Sequence, residues 1–232
     1  MTNKLNCRSI KTSYFCTMIE NKETALKIAE LLLQVKAVKL QPKKAFNWAS
    51  GWKSPIYCDN RVTLSHPGVR THIRQAFCEN IILRFGKPDV IAGVATGGVP
   101  QGVLVAQELG LPFIYVRSAA KDHGMGNTIE GSFQKGQRVI LIEDLISTGG
   151  SSIKAVNALR DGGLDVKGLA AIFTYGFKLA EENFIKAKCP ILALTDYAVL
   201  IEQALNSNYI SQDDLAHLQS WRENPSTWMQ EN

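Results

Sequence analysis

The sequence lacks any run that could cross a membrane as a helix: although 45% of its 232 residues are apolar, no stretch approaches the roughly 18 consecutive apolar residues such a span needs. Its five cysteines, at positions 7, 16, 58, 78 and 189, form an odd set without a C-x-x-C pair. That argues against a disulfide framework or a zinc site and predicts a reducing, cytoplasmic setting. Neither G-x-x-x-x-G-K-[ST] nor G-x-G-x-x-G occurs, so the nucleotide P-loop and the dinucleotide fingerprint are both excluded. There is no repeat at fixed period and no low-complexity linker. Charge of one sign is also scarce: the formal net charge is +5, and part of the excess lies in Lys4, Arg8 and Lys11 of the opening segment. Nothing in that balance points to nucleic acid.

What is present is ordinary globular composition of a length that builds one main domain. Residues 1–17 lack the continuous apolar core of a secretory signal and read as a disordered extension, with the folded domain expected over 18–232. From Lys22 to Val38, the positions Ala25, Ile28, Ala29, Leu32, Leu33 and Val35 follow helical spacing. The stretch "KAFNWASGWKSPIYCDNR" alternates Phe46, Trp48 and Tyr57 with small and polar residues around Ser50-Gly51, which predicts a hairpin. Ser65 is a plausible N-cap and Pro67 a first-turn residue for a helix whose stripe is Val69, Ile73, Phe77 and Ile81. Beyond it, the short apolar runs "DVIAGVA", "PFIYVR", "RVILIED" and "VKGLAAIFTY" alternate with helical segments near 99–109 and 152–160. That alternation predicts an α/β fold with a mostly parallel sheet covered on both faces. From Ile191 onward a short strand and two helices are expected, the second capped by Ser211, in a packing role.

Three stretches carry chemistry. In "VILIEDLISTGGSS" (139–152), Glu143 and Asp144 end a buried strand. Ser147, Thr148, Gly149, Gly150, Ser151 and Ser152 then bring bare backbone and hydroxyls to a helix start, where unpaired amides and the helix dipole favour an anion. Acids above a phosphate cradle suit a sugar phosphate, the carboxylates accepting from ribose hydroxyls. A Rossmann-like loop with an unrelated ligand is the competing reading. A glycosidase pair is disfavoured because adjacent strand residues diverge. In "VIAGVATGGVPQG", Thr96, Gly97 and Gly98 repeat the strand-to-helix pattern, as a second phosphate loop or a plain turn. In "YVRSAAKDHGMGNTIEGSF", Arg117, Lys121, Asp122 and His123 among glycines read as a mobile flap whose cations close over a leaving anion, or as a solvated hairpin.

Together these stretches resemble the type I phosphoribosyltransferases, with "VILIEDLISTGGSS" similar to their signature for phosphoribosyl pyrophosphate (PRPP). The flap and "SGWKSPIY" narrow the resemblance to the orotate-using branch, over roughly residues 20–225. The resemblance implies a central sheet flanked by helices, a small N-terminal hood from about 20–65 completed by C-terminal helices, and a flexible catalytic loop. It implies that Glu143, Asp144, Leu145, Ile146, Ser147, Thr148, Gly149, Gly150 and Ser151 hold the ribose and 5′-phosphate, with Ser147 also near orotate. Arg117, Lys121 and His123 would engage the pyrophosphate as catalytic residues, and Thr96, Gly97 and Gly98 would form the pyrophosphate loop. Mg²⁺ held mainly through the substrate, and a homodimer sharing the flap between subunits, are implied likewise. The sequence departs at Ala49, where many family members carry a lysine, and at Thr96-Gly97 and Ser118, where some carry Tyr-Lys and a lysine. It also has no evident match in "IFTYGF" to the orotate-side arginine of some members, for which Lys53 compensates only if the hairpin folds differently. A purine-base transferase and a non-catalytic PRPP sensor on the same fold stay open at this level.

Overall fold

Apolar runs with no polar face need cover on two sides, and the computed structural model, which describes residues 19–48, 51–118 and 128–229, supplies it with one six-stranded sheet. Its strands are β5 (Val90–Val94), β6 (Phe113–Val116), β7 (Ile129–Glu130), β8 (Arg138–Ile146), β9 (Asp165–Thr174) and β10 (Ile191–Asp196), in the spatial order β10-β9-β8-β5-β6-β7. All neighbours run parallel except β7, which pairs antiparallel with β6. Successive side chains on a strand point to opposite faces. Accordingly Ile140, Ile142, Ala170 and Ile172 belong to one core, and Val139, Leu141, Leu169 and Ala171 to the other.

The helices follow from the same arithmetic. Helix α1 (Lys22–Gln34) is capped by Asn21, which accepts from the Thr24 amide, and buries Ala25, Ile28, Ala29, Leu32 and Leu33. It stops at Gln34 instead of running to Val38. Lys36 takes a φ of +57°, which no right-handed helix tolerates, and Val38–Leu40 become strand β1. The expected hairpin forms from β2 (Phe46–Asn47) and β3 (Lys53–Ser54), with Gly51 at φ +85° in the connection. Strand β4 (Ile56–Cys58) then pairs with β1. A 3-10 turn (Asn60–Ser65) follows and consumes Ser65, so the cap of α2 (Pro67–Phe85) is His66, not Ser65; Pro67 stands in the first turn.

Helices α3 (Gly98–Leu109), α4 (Gly150–Asp161), α5 (Lys178–Lys186), α6 (Tyr197–Asn206) and α7 (Gln212–Glu223) complete the order. Helix α5 is the one the sequence reading passed over. It has only nine residues and buries just Ala180 and Phe184, too short a stripe to stand out. The parallel pairing of β9 and β10 nevertheless demands a crossover of this kind. Ser211 caps α7 as expected, in a reciprocal capping box with Asp214. The last part of the expected flap is not loop: Ile129 and Glu130 pair with Val116 and Tyr115 at the sheet edge. Lys121 and His123 lie outside the described residues.

The connection after β5 leads to β6 on one side, and that after β8 leads to β9 on the other. The chain thus changes direction between β5 and β8, which leaves a crevice above their carboxyl ends, the position where open α/β sheets bind ligands.

Candidate active site

Two cavities occupy that crevice. The first, of about 360 Å³, is polar, and its walls include Asp59, Arg61, Thr96, Gly97, Glu143, Asp144 and Ser151. The second, of about 460 Å³, is mostly aromatic, walled by Trp48, Trp52, Tyr57, Ser147, Thr148 and Tyr175. Cys58 and Leu145 belong to both walls, so the chambers meet there. Their combined shape takes a ligand with an anionic, hydroxylated part and a flat apolar part.

Each loop has a local reason for its glycines. Gly149 holds φ +81° at the start of α4, and a side chain on it would press into the Phe184 ring. On the neighbouring strand, Gly97 faces the Asp144 carboxylate so closely that a Cβ would fall within its van der Waals envelope. Gly98 faces the Ile142 carbonyl in the same way. It serves helix-to-sheet packing and is not part of the cavity wall.

The two acids differ in role. Glu143 is buried, 5% exposed; its carboxyl accepts from the Ser152 hydroxyl (3.1 Å) and from the Asp144 amide (3.1 Å). Burial, and then the Asp144 charge beside it, push Glu143 up to about 9, so at neutral pH it holds a proton. Burial also raises Asp144, against hydrogen bonding from Glu143 and the field of Arg61. Asp144, the less buried of the two, faces the polar chamber that Arg61 also lines. Cys58 sits at the seam, where burial and then Asp144 and Asp59 push its thiol far up. It is a neutral wall residue and not a nucleophile.

The sequence-predicted residues divide between these chambers. Thr96, Gly97, Glu143, Asp144 and Ser151 meet at the polar one; Ser147 and Thr148 line the aromatic one; Leu145 stands at the junction. The Ile146 side chain is in the core, 1% exposed, and its carbonyl accepts from the Tyr175 amide. Arg117 is in neither wall. Its amide donates to the Thr128 carbonyl and its guanidinium lies 3.6 Å from Glu130 at the sheet edge. Lys53 lies in β3, also outside both walls.

The phosphoribosyl transferase domain model matches residues 64–200. A relative from Bacteroides thetaiotaomicron, named orotate phosphoribosyltransferase, is 54% identical over 200 residues, 86% of this chain and 94% of that protein. One of the same name from Listeria innocua is 53% identical over 201 residues, 87% and 96% of the two chains. The chain belongs to the orotate phosphoribosyltransferase family. A solved orotate phosphoribosyltransferase from Aeropyrum pernix superposes with a TM-score of 0.70 at 26% identity, over 79% of this chain and 99% of that one.

Against that family's pattern, the sequence reading passed over Asp59, Arg61, Trp52 and Tyr175. Asp59 and Arg61 reach the crevice only because the 3-10 turn after β4 folds over it. Tyr175 is placed by the end of β9 and by Trp221 of α7, whose ring centroid is 5.7 Å away. Trp221 stands equally close to Trp48, so α7 shapes the aromatic wall from behind and does more than pack.

Proposed function

We propose that the protein transfers the 5-phosphoribosyl group of PRPP to N1 of orotate, releasing pyrophosphate and giving orotidine 5′-monophosphate for pyrimidine biosynthesis. The observation that carries this reading is the pair of abutting chambers at the β5–β8 crevice, with Leu145 and Cys58 at their seam. The sugar diphosphate fits the polar chamber, and the planar base fits between the rings of the aromatic one. The reacting carbon then lies at the seam. There the C1′–O bond to pyrophosphate breaks, the N1–C1′ bond forms, and the N1 proton is released.

Such a displacement passes through an oxocarbenium-like sugar, so it is accelerated by holding the two reactants in line and by stabilising the departing charge. No protein nucleophile is needed. The 5′-phosphate falls to the amides of Ser147 to Ser151 at the α4 N-terminus, and the ribose hydroxyls to Asp144. Glu143 takes the role of a buried prop that fixes Ser152 and the Asp144 backbone. Arg117, Lys121 and His123 remain assigned to the pyrophosphate through the family pattern, Lys121 and His123 as donors that arrive on closure and exclude water.

Mg²⁺ suits this donor set. The polar chamber offers Asp59 and Asp144 carboxyls, and among the described residues no three His, Cys, Asp or Glu side chains are grouped into a ligand cage. The Asp59 and Asp144 carboxyl oxygens would suit a hard cation whose remaining ligands are phosphate oxygens and water. When bound, it neutralises charge on the diphosphate. A homodimer sharing the flap, and a cytoplasmic location, complete the proposal; among the described residues no helix is long and apolar enough to cross a membrane.

The test is consumption of orotate with PRPP and Mg²⁺, run beside adenine, hypoxanthine and uracil. Turnover of orotate alone is expected. Preference for a purine would reassign the aromatic chamber, and binding of PRPP without turnover of any base would make the protein a sensor.

A further inference from the structure

The second phosphate loop lacks the lysine that some family members place there, and the geometry gives a reason. Gly97 lies against the Asp144 carboxylate with no room for a Cβ, so a long side chain cannot issue from that position. A diphosphate nonetheless needs a cation at this end of the chamber. Among the described residues of the polar chamber's walls, one is cationic: Arg61.

Arg61 is held as a preset group. Its Nε donates to Asp59 Oδ1 (2.7 Å) and its Nη2 to Asp59 Oδ2 (2.9 Å). This two-point clamp uses two of the guanidinium's five N–H donors and leaves three for a ligand. The turn that carries it is anchored to the site. Neighbouring Asn60, 1% exposed, donates from Nδ2 to the Asp144 carbonyl (2.6 Å). Thr63 Oγ1 donates to the Asn60 carbonyl (2.6 Å) and accepts from Gln101 Nε2 of α3 (3.3 Å). The platform is thus tied both to the acid-bearing end of β8 and to the helix that follows the Thr96–Gly97 loop. A group fixed in this way binds an anion without losing side-chain freedom at that moment.

We propose that Arg61 is a pyrophosphate-binding residue that substitutes, from the hood, for the cation absent from the Thr96–Gly97 loop. The assignment rests on the PRPP reading of the chamber. It places one cation at the diphosphate end independently of the flap, so that PRPP docks before closure, while orotidine 5′-monophosphate, which has no diphosphate, does not engage Arg61.

Calorimetric titration of PRPP and of orotidine 5′-monophosphate, both in magnesium buffer, tests this on the full chain and on Arg61→Ala, Arg61→Lys and the double variant Asp59→Asn/Arg61→Ala. The Arg61 side chain is 62% exposed, so the variants are expected to fold, and thermal melting checks that. Arg61→Ala is expected to weaken PRPP by about 10- to 100-fold, the range for losing charge-assisted hydrogen bonds. It should leave orotidine 5′-monophosphate within about twofold, with Arg61→Lys intermediate for PRPP because it keeps charge but not the fork. Unchanged PRPP affinity in Arg61→Ala, or equal losses for both ligands, would overturn the assignment. So would recovery of PRPP binding in the double variant, which would trace the loss to the unpaired Asp59. A wild-type protein that binds neither ligand sinks the reading of the chamber itself, a different result from a wild type that binds both and an Arg61→Ala variant that matches it.

Discussion

Replacing Glu143 by glutamine removes one buried proton-binding site while keeping the shape of the side chain. In the folded protein this carboxyl is pushed up to about 9 from an ordinary value of 4.5; in the unfolded chain it returns to that ordinary value. Between those limits the folded state holds a proton that the unfolded state lacks, so stability falls as pH rises through the window. One such proton corresponds to a slope of at most about 1.4 kcal/mol per pH unit. For a chain of this size that is roughly 3–5 °C in melting temperature per unit. Glu143 and Asp144 shift one another, so the variant also changes how Asp144 titrates; groups away from this pair contribute equally to both proteins, and the quantity to read is the difference in slope. Thermal melts of ligand-free wild type and Glu143→Gln from pH 5.5 to 8.5 should give converging or crossing lines, the variant being the flatter. The glutamine oxygen can keep accepting from the Asp144 amide while its NH2 donates to the Ser152 hydroxyl in place of the bond that Ser152 gave, so the variant is also expected to retain turnover. Parallel lines would refute the claim that Glu143 is protonated in the fold. Complete loss of PRPP binding in Glu143→Gln would return Glu143 to direct ligand contact.

Asp144→Asn should weaken PRPP by about tenfold or more without lowering the melting temperature, since it removes a charge-assisted acceptor from an ordered wall; unchanged affinity by calorimetry would remove the ribose contact. Gly97→Ala should impair PRPP binding far more than its size implies, because the new methyl displaces the Asp144 carboxylate; wild-type affinity would show that the loop yields freely. Lys121→Ala is expected to lower kcat by on the order of 10²-fold, as when one charge-stabilising donor is lost; near wild-type turnover would take the flap out of the chemistry. Trp221→Ala should cost about 3–5 kcal/mol in denaturant unfolding, while Trp221→Phe should fold and raise KM for orotate more than for PRPP; equal KM values for both substrates in the two proteins would restrict Trp221 to packing.

How far these positions could be read from the chain depends on where each gets its placement. The β5, β8 and β9 runs are legible because a strand buried on both faces has no polar residue to spare, and "EDLISTGG" is legible because strand, acid pair and bare loop are contiguous. The α1 terminus was misread because Val35 and Val38 continue the helical stripe, and only the backbone of Lys36 ends it. Arg61 had no local signature. It follows Asp59-Asn60 in what looks like an ordinary turn, and the bonds that seat that turn, from Asn60 to the Asp144 carbonyl and from Gln101 to Thr63, reach far along the chain. Tyr175 and Trp221 escaped notice for the same reason: an aromatic wall assembled from β9, the hairpin and α7 leaves no spacing in any single segment.

That wall joins the two ends of the polypeptide. Trp48 comes from the first quarter of the sequence and Trp221 from α7, and their rings meet edge to face at 5.7 Å. A chain emerging from the ribosome can therefore pair every strand of the sheet and set both glycine loops before the aromatic chamber has a back. Shortening the protein ahead of residue 221 should yield a species that still grips the sugar diphosphate yet has lost its discrimination among bases.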